Sequence, residues 1–267
     1  MSGGGQPLGA DGERAALTAE PLAWAGAEVT DEALAAMNAR AEAMEPAALL
    51  AWALDSLGEE VALASSFGAE DMVLLDVLAR LRGPAARVFG LDTGRLPQQT
   101  YDVMSAVRRK YGIEVVLYFP EASAVEALVN RHGPNLFYDS VEDRQRCCHV
   151  RKVQPLGRAL AGLRGWITGQ RRDQSVTRTA TQGIERDLAH GLWKLNPLAA
   201  WTSEAVWAYL RAQGVPYNRL HDQGYRSIGC APCTRAVEPG SPERSGRWWW
   251  EDPSRKECGL HFASPKG

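Results

Sequence analysis

The chain has 267 residues, a hydrophobic fraction of 45% and a formal net charge of −2. That composition supplies a core for one large domain, and the near-neutral charge excludes a global basic field for nucleic acid, so any anion site must be a local cluster of Arg and Lys. Five cysteines do not make a disulfide scaffold in a chain of this length, and their paired spacing favours a metal site in a reducing compartment.

Residues 1–28 are rich in Gly and Ala with scattered charge and read as a disordered tail. They contain neither a basic n-region nor an apolar h-region. No apolar run reaches the roughly 20 residues of a membrane span. The expectation is a cytoplasmic protein with no membrane and no nucleic-acid partner. From residue 30 to 57 the pattern is helical. Thr30 is placed to cap a first helix, although Ala33 leaves the capping box incomplete. Pro46 suits the first turn of a second helix.

Residues 60–65 read as a short buried strand. It runs into the small-residue turn Ser66-Phe67-Gly68-Ala69 and a helical stretch over 72–78. Strand, turn and helix in this order aim backbone N–H groups at an anion. A second strand over 87–91 ends in Asp92-Thr93-Gly94, and a helix over 97–111 and a third strand over 113–119 follow. Alternating strands and helices predict a doubly wound α/β parallel sheet, whose ligands sit beyond the C-terminal ends of the strands. The turns at 65–68 and 92–94 lie at such ends and read either as plain loops or as a nucleotide site.

A dense basic segment over 143–152 carries Cys147-Cys148 and enters a helix expected to continue to Leu163. Residues 166–169 read as a fourth strand leading into the basic stretch 170–175, and residues 194–198 as a fifth. Thr202 caps an amphipathic helix that reaches Leu210, and residues 215–218 form a turn. Cys230-Ala231-Pro232-Cys233 comes next, then the loose polar stretch 238–247 and Trp248-Trp249-Trp250. The tryptophans read as packing residues that anchor the end of the chain. The expected organisation is one α/β domain over 29–236 and a mobile C-terminal segment over 237–267.

The Cys-x-x-Cys alone fits zinc, an iron–sulfur cluster or a redox dithiol. Together with the adjacent pair it suggests four thiolates at one site. Adjacent ligands are awkward for a compact tetrahedral zinc, whose knuckles are spaced. A [4Fe–4S] cube presents its ligand positions on different irons, so the pattern leans toward iron–sulfur. Cys258 is left over, between Lys256 and His261. A thiol beside cations is what a nucleophile looks like, because nearby positive charge lowers its pKa. His261 either raises the thiolate fraction or faces solvent. Arg151, Lys152, Arg171 and Arg172 follow the cysteine segment or a strand end, and Arg244 and Arg247 precede Cys258. They read as a solvated face or as the binding set for a small dianion.

These residues resemble the assimilatory adenylyl-sulfate (APS) reductases of the bacterial iron–sulfur type, within the larger APS/PAPS reductase family. The resemblance covers about residues 61–262. Its most specific part is Lys256-Glu257-Cys258-Gly259-Leu260-His261, similar to the family's catalytic Cys-Gly-Leu-His ending. Next comes Cys147-Cys148 with Cys230 and Cys233; members lacking these four prefer the 3′-phosphorylated substrate, PAPS. Residues 65–71 resemble the family's modified pyrophosphate loop but depart from its usual Ser-Phe-Ser-Gly-Ala order. Leu91-Asp92-Thr93-Gly94 matches its second nucleotide-side turn.

The resemblance implies a Rossmann-like, adenine nucleotide alpha hydrolase-like parallel sheet flanked by helices, with a flexible catalytic tail. It implies a [4Fe–4S] cluster on Cys147, Cys148, Cys230 and Cys233. The implied activity is thioredoxin-dependent reduction of APS to sulfite and AMP through an S-sulfocysteine on Cys258, with His261 and Lys152 as further catalytic residues. Implied substrate contacts are Ser65, Ser66, Phe67, Gly68, Asp71, Leu91, Asp92, Thr93, Arg151, Lys152, Gly169, Arg171, Arg244 and Arg247. A homo-oligomer is left open. Two alternatives compete. An ATP-using pyrophosphatase-loop enzyme such as a tRNA thiolase needs a Ser-Gly-Gly-x-Asp-Ser loop that residues 65–71 lack. A zinc-binding interaction module gives no reason for Cys258.

Overall fold

The computed structural model describes residues 29–252. The expected N-terminal tail, Cys258 and His261 lie outside the described residues. Helix α1 (Asp31–Ala41) is capped as the sequence suggests: the Thr30 side chain accepts from the Ala33 N–H at 3.2 Å, which satisfies a donor that a helix start leaves orphaned. Pro46 opens α2 (Pro46–Leu57), where its missing N–H costs nothing.

Strand β1 (Val61–Ser65) leads into α3 (Ala69–Arg82), β2 (Val88–Leu91) into α4 (Gln98–Tyr111), and β3 (Val116–Tyr118) into α5 (Ala122–His132). Helices α6 (Val141–Cys148) and α7 (Gln154–Leu160) precede β4 (Gly165–Ile167). Then come β5 (Ile184–Asp187), β6 (Leu192–Leu195) and α8 (Ser203–Ala212). The strands form one sheet in the order β3-β2-β1-β4-β6-β5. The pairs β1–β2, β1–β4, β2–β3 and β4–β6 are parallel, and β5 pairs antiparallel to β6.

The doubly wound reading holds because the strands alternate faces. Leu63, Ile167 and Leu195 pack with α1 to α4 and α8 on one side. Ala62, Phe89 and Trp166 pack with Leu156, Ala159 and Leu160 of α7 on the other. Chain order runs outward from β1 in both directions, through β2 on one side and β4 on the other. The switch point between β1 and β4 is where such sheets open a crevice.

Several expectations need correction. The strand expected at 194–198 lies at Leu192–Leu195, and it is the sixth. Strand β5 was missed because Ile184-Glu185-Arg186-Asp187 has a single apolar residue and covers an edge. The helix expected to run unbroken to Leu163 is interrupted by a π-turn at His149–Val153. Pro155 explains the break: it cannot donate to the preceding turn, and its ring crowds that turn.

The packing also continues past residue 236, where a mobile segment was expected to begin. Thr234 and Arg247 form a bridge, Trp248 is 1% exposed, and Arg144 makes a buried two-pronged ion pair with Glu251, at 2.9 and 2.8 Å. Among the described residues no helix is long and apolar enough to cross a membrane.

Candidate active site

The crevice at the switch point is a cleft at the C-terminal ends of β1, β2 and β4. Ser65 at the end of β1 and Ser66, Phe67, Gly68 and Asp71 after it line the cleft, with Leu91 at the end of β2, Thr93 beyond it, and Gly169 after β4. Lys152 reaches it from the π-turn, and Arg244 and Arg247 from the C-terminal stretch. Ten of the implied substrate contacts besides Lys152 thus share one wall system, drawn from residues 65 to 247.

The loop after β1 is held by its own side chains. Asp71 accepts from the Ser66 N–H and Oγ–H at 2.6 and 2.7 Å, and the Gly169 N–H also donates to it. The donors that strand-turn-helix geometry aims at a ligand anion are partly taken by the chain's own carboxylate. Burial pushes Asp71 up to about 6, against the lowering effect of these hydrogen bonds. Gly169 is required at this spot: a Cβ there would collide with Asp71 Oδ1 and come within 2.8 Å of Glu70 Cβ. Phe67 has φ +60, a region that L-residues rarely adopt. Its ring lies against Gly90 of β2, where an added Cβ would meet Phe67 Cε2 at 3.0 Å. Glycine in β2 therefore makes room for the strained loop.

The cleft lining is rich in charge of both signs: Glu70, Asp71 and Glu243 with Lys152, Arg244 and Arg247. Lys152 also borders the cysteine cavity. Arg171 does not face the cleft as expected. Its side chain is 1% exposed, donates to Glu70 at 2.9 Å and to Glu243 at 2.6 Å, and is thereby committed within the protein. Burial, reinforced by Glu70, pushes Glu243 up to about 7 despite Arg171. Asp92 also points away from the ligand space: it accepts from the Gly94 N–H at 2.8 Å and from the Tyr101 hydroxyl at 3.0 Å. It frames the turn that presents Leu91 and Thr93. Arg151 donates to the Thr93 carbonyl at 2.7 Å and lines the cysteine cavity instead.

Sequence reading missed Arg178, Arg226, Glu243 and the half-buried His221, all in the cleft lining. Burial lowers the His221 pKa. The only signal for Arg178 and Arg226 was a basic residue in a loop after a strand end or before the Cys-x-x-Cys.

Cys147, Cys148, Cys230 and Cys233 are all buried and free of disulfides. They pack in one apolar cluster with Leu128, Leu136, Phe137 and Trp248. All four, with Arg95, Arg144, Arg151 and Lys152, surround a single small cavity. Adjacent helical residues diverge by about 100°, so Cys147 and Cys148 fan out from the end of α6. Among the described residues no three His, Cys, Asp or Glu side chains converge as ligands of one metal ion. Burial raises the Cys147 thiol and pushes Cys233 up to about 12, so a group that stabilises thiolates must replace the protons if these sulfurs are to act as ligands. Thiols spread round one cavity and ringed by cations fit an anionic polynuclear cluster better than one zinc ion. Cys230 and Lys152 line both cavities, and Cys230 meets Thr93 Oγ1 at 3.3 Å, so the cysteine site and the cleft are adjacent.

Comparison with known proteins agrees with this architecture. The family described as the phosphoadenosine phosphosulfate reductase domain matches residues 60–236. An adenosine 5′-phosphosulfate reductase of Allochromatium vinosum is 54% identical over 203 residues, covering 76% of this chain and 79% of the relative. One from Burkholderia cepacia is 52% identical over 206 residues, covering 77% and 82%. A crystal structure of the phosphoadenylyl-sulfate (PAPS) reductase of Candida auris, in its phosphate complex, superposes with a TM-score of 0.68 at 28% identity, covering 79% of this chain and 99% of the other. These matches disfavour the ATP-using thiolase alternative. With its cleft, its cysteine site and a match over most of its length, the chain belongs to the phosphoadenosine phosphosulfate reductase family.

Proposed function

We propose that the chain reduces adenosine 5′-phosphosulfate to sulfite and AMP, with reduced thioredoxin as electron donor and Cys258 as nucleophile. It is an oxidoreductase acting on sulfur, in sulfate assimilation. The observation that carries the reading is that Lys152, Arg244, Arg247 and Cys230 all line the same cleft as the loop at 65–71 and the turn at 91–93. A phosphosulfate is a compact anion, and an anionic thiolate approaches it only where cations offset the repulsion. The Lys152 ammonium and the two guanidinium groups supply that offset where charge moves onto the leaving phosphate. The loop at 65–71 and the turn at 91–93 then receive the adenosine.

In the first step the Cys258 thiolate attacks the sulfur of APS. The bond from sulfur to the AMP oxygen breaks, AMP leaves with that electron pair, and an S-sulfocysteine forms. A thioredoxin thiolate then attacks Cys258 Sγ and sulfite leaves with the sulfur–sulfur electron pair. The second thioredoxin thiol resolves the mixed disulfide, which returns Cys258 reduced and thioredoxin oxidised. His261 is assigned to assist Cys258. Cys147, Cys148, Cys230 and Cys233 would hold a [4Fe–4S] cluster, which when bound would supply local field and orientation around residues 147–152. The electrons come from thioredoxin. Mixing the protein with APS and no reductant, then mapping modified peptides by mass spectrometry, tests the reading: one sulfonate on Cys258 is expected, and an unmodified Cys258 with APS consumed would overturn it.

A further inference from the structure

Arg144 is wholly buried on α6, one helical turn before Cys148. Its guanidinium has two partners. It hydrogen-bonds Cys148. It also grips Glu251 through Nε and Nη2, at 2.9 and 2.8 Å, with the two side chains 1% and 2% exposed. Its plane also covers the Trp248 ring, 4.7 Å from the centroid, and Arg247 stacks on the same ring at 4.7 Å. Trp248 itself has φ +39, a conformation that persists only where surroundings over-determine it.

A buried ion pair is a costly device for stability alone, because apolar residues of the same volume often serve as well. Here one charged group spans two places. We propose that Arg144 is a positioning residue that couples the four-cysteine site to residues 248–252, the stretch that leads into the Cys258 motif. This deepens the function proposed above and rests on its cluster assignment. Cys148 on α6 and the Glu251 carboxylate from the C-terminal stretch share one guanidinium, and that guanidinium also borders the four-cysteine cavity, so the occupancy of the cysteine site sets how firmly Glu251 is held. Coupling of this kind is reciprocal: loss of the cluster loosens 248–252, and loosening 248–252 hastens loss of the cluster.

The test compares anaerobically purified full-length protein with the double variant Arg144→Met/Glu251→Leu, before and after iron removal with a ferrous chelator. Two readouts are followed, chymotryptic cleavage after Trp248, Trp249 and Trp250, and the rate of iron release. In the wild-type protein, chelation should speed cleavage there by about five-fold or more, with cleavage within the sheet domain unchanged. The double variant should remain folded, release iron faster than wild type, and show cleavage that no longer responds to chelation. Should the double variant misfold, Glu251→Asp, which keeps the charge but shortens the reach, must give a reduced response. An equal response in wild type and variants, or none in wild type, overturns the coupling while leaving APS reduction untouched. Wild-type protein without iron and sulfide overturns the cluster assignment and this inference together.

Discussion

Asp71 Oδ2 accepts from both the backbone N–H and the Oγ–H of Ser66, at 2.6 and 2.7 Å. The carboxylate comes from the first turn of α3, where the helix dipole favours negative charge, and it closes the loop that follows β1. The loop is therefore framed before any ligand arrives, and the cations proposed to meet a phosphosulfate lie elsewhere in the cleft lining, at Lys152, Arg244 and Arg247.

This frame has a pH signature. Asp71 holds its proton in the folded chain up to about 6, against an ordinary 3.8, chiefly because it is buried. Between those values the folded state binds more protons than the unfolded state, so the contribution of Asp71 to stability falls as pH rises through the window. The full change is on the order of 3 kcal/mol. In denaturant unfolding, the stability advantage of wild type over Asp71→Ala should be larger at about pH 4.5 than at about pH 7.5. A gap independent of pH would show that Asp71 is not buried as described.

Gly169→Ala should damage the same frame from the other side. Its Cβ would collide with Asp71 Oδ1 and press on Glu70 Cβ at 2.8 Å. Overpacking of this kind costs about 1–3 kcal/mol. A raised KM for APS, with iron content unchanged, is the expected outcome. Wild-type kinetics and stability would mean that the loop is free to move aside.

Lys152 and Arg171 should separate cleanly. Lys152 lines the cleft, so Lys152→Ala should lower the rate of Cys258 sulfonation by roughly 10²–10³-fold, the effect of removing one well-placed cationic donor. Arg171 is spent on Glu70 and Glu243. Arg171→Met leaves two half-buried carboxylates without their buried cation and should cost about 2–3 kcal/mol of stability, less than the loss of one partner of a fully buried pair, readable as a lower unfolding midpoint. A stable Arg171→Met protein with a slow chemical step would reverse the two assignments.

The contrast between these two residues marks where the sequence is legible. Strand, turn and helix around 61–82 follow from local periodicity and small residues, and the cysteine pairs announce themselves by spacing. Arg171, a cation after a strand end, and Lys152, a cation after the cysteine pair, read alike in sequence as members of one anion-binding set. What distinguishes Arg171 is Glu70 and Glu243, which lie 101 and 72 residues away, and no local pattern reports that convergence. The same holds for Asp92, which reads as a ligand-facing turn residue and serves as the turn's internal acceptor. Strand β5 was invisible because an edge strand needs few apolar residues. The π-turn was hidden because its cause, Pro155, acts on the turn before it. Trp248 to Trp250 read correctly as packing residues, but the ion pair that fixes them required Arg144 and Glu251 to meet across 107 residues.

The central claim is that the cleft and Cys258 together reduce APS. The most direct test is sulfite release from APS and from PAPS by anaerobically purified protein with reduced thioredoxin, run beside Cys258→Ser. Thioredoxin-dependent sulfite from APS, weak turnover of PAPS, and none from the variant are the expected results. Absence of sulfite from both substrates, in protein shown to contain its iron and sulfide, would contradict that claim.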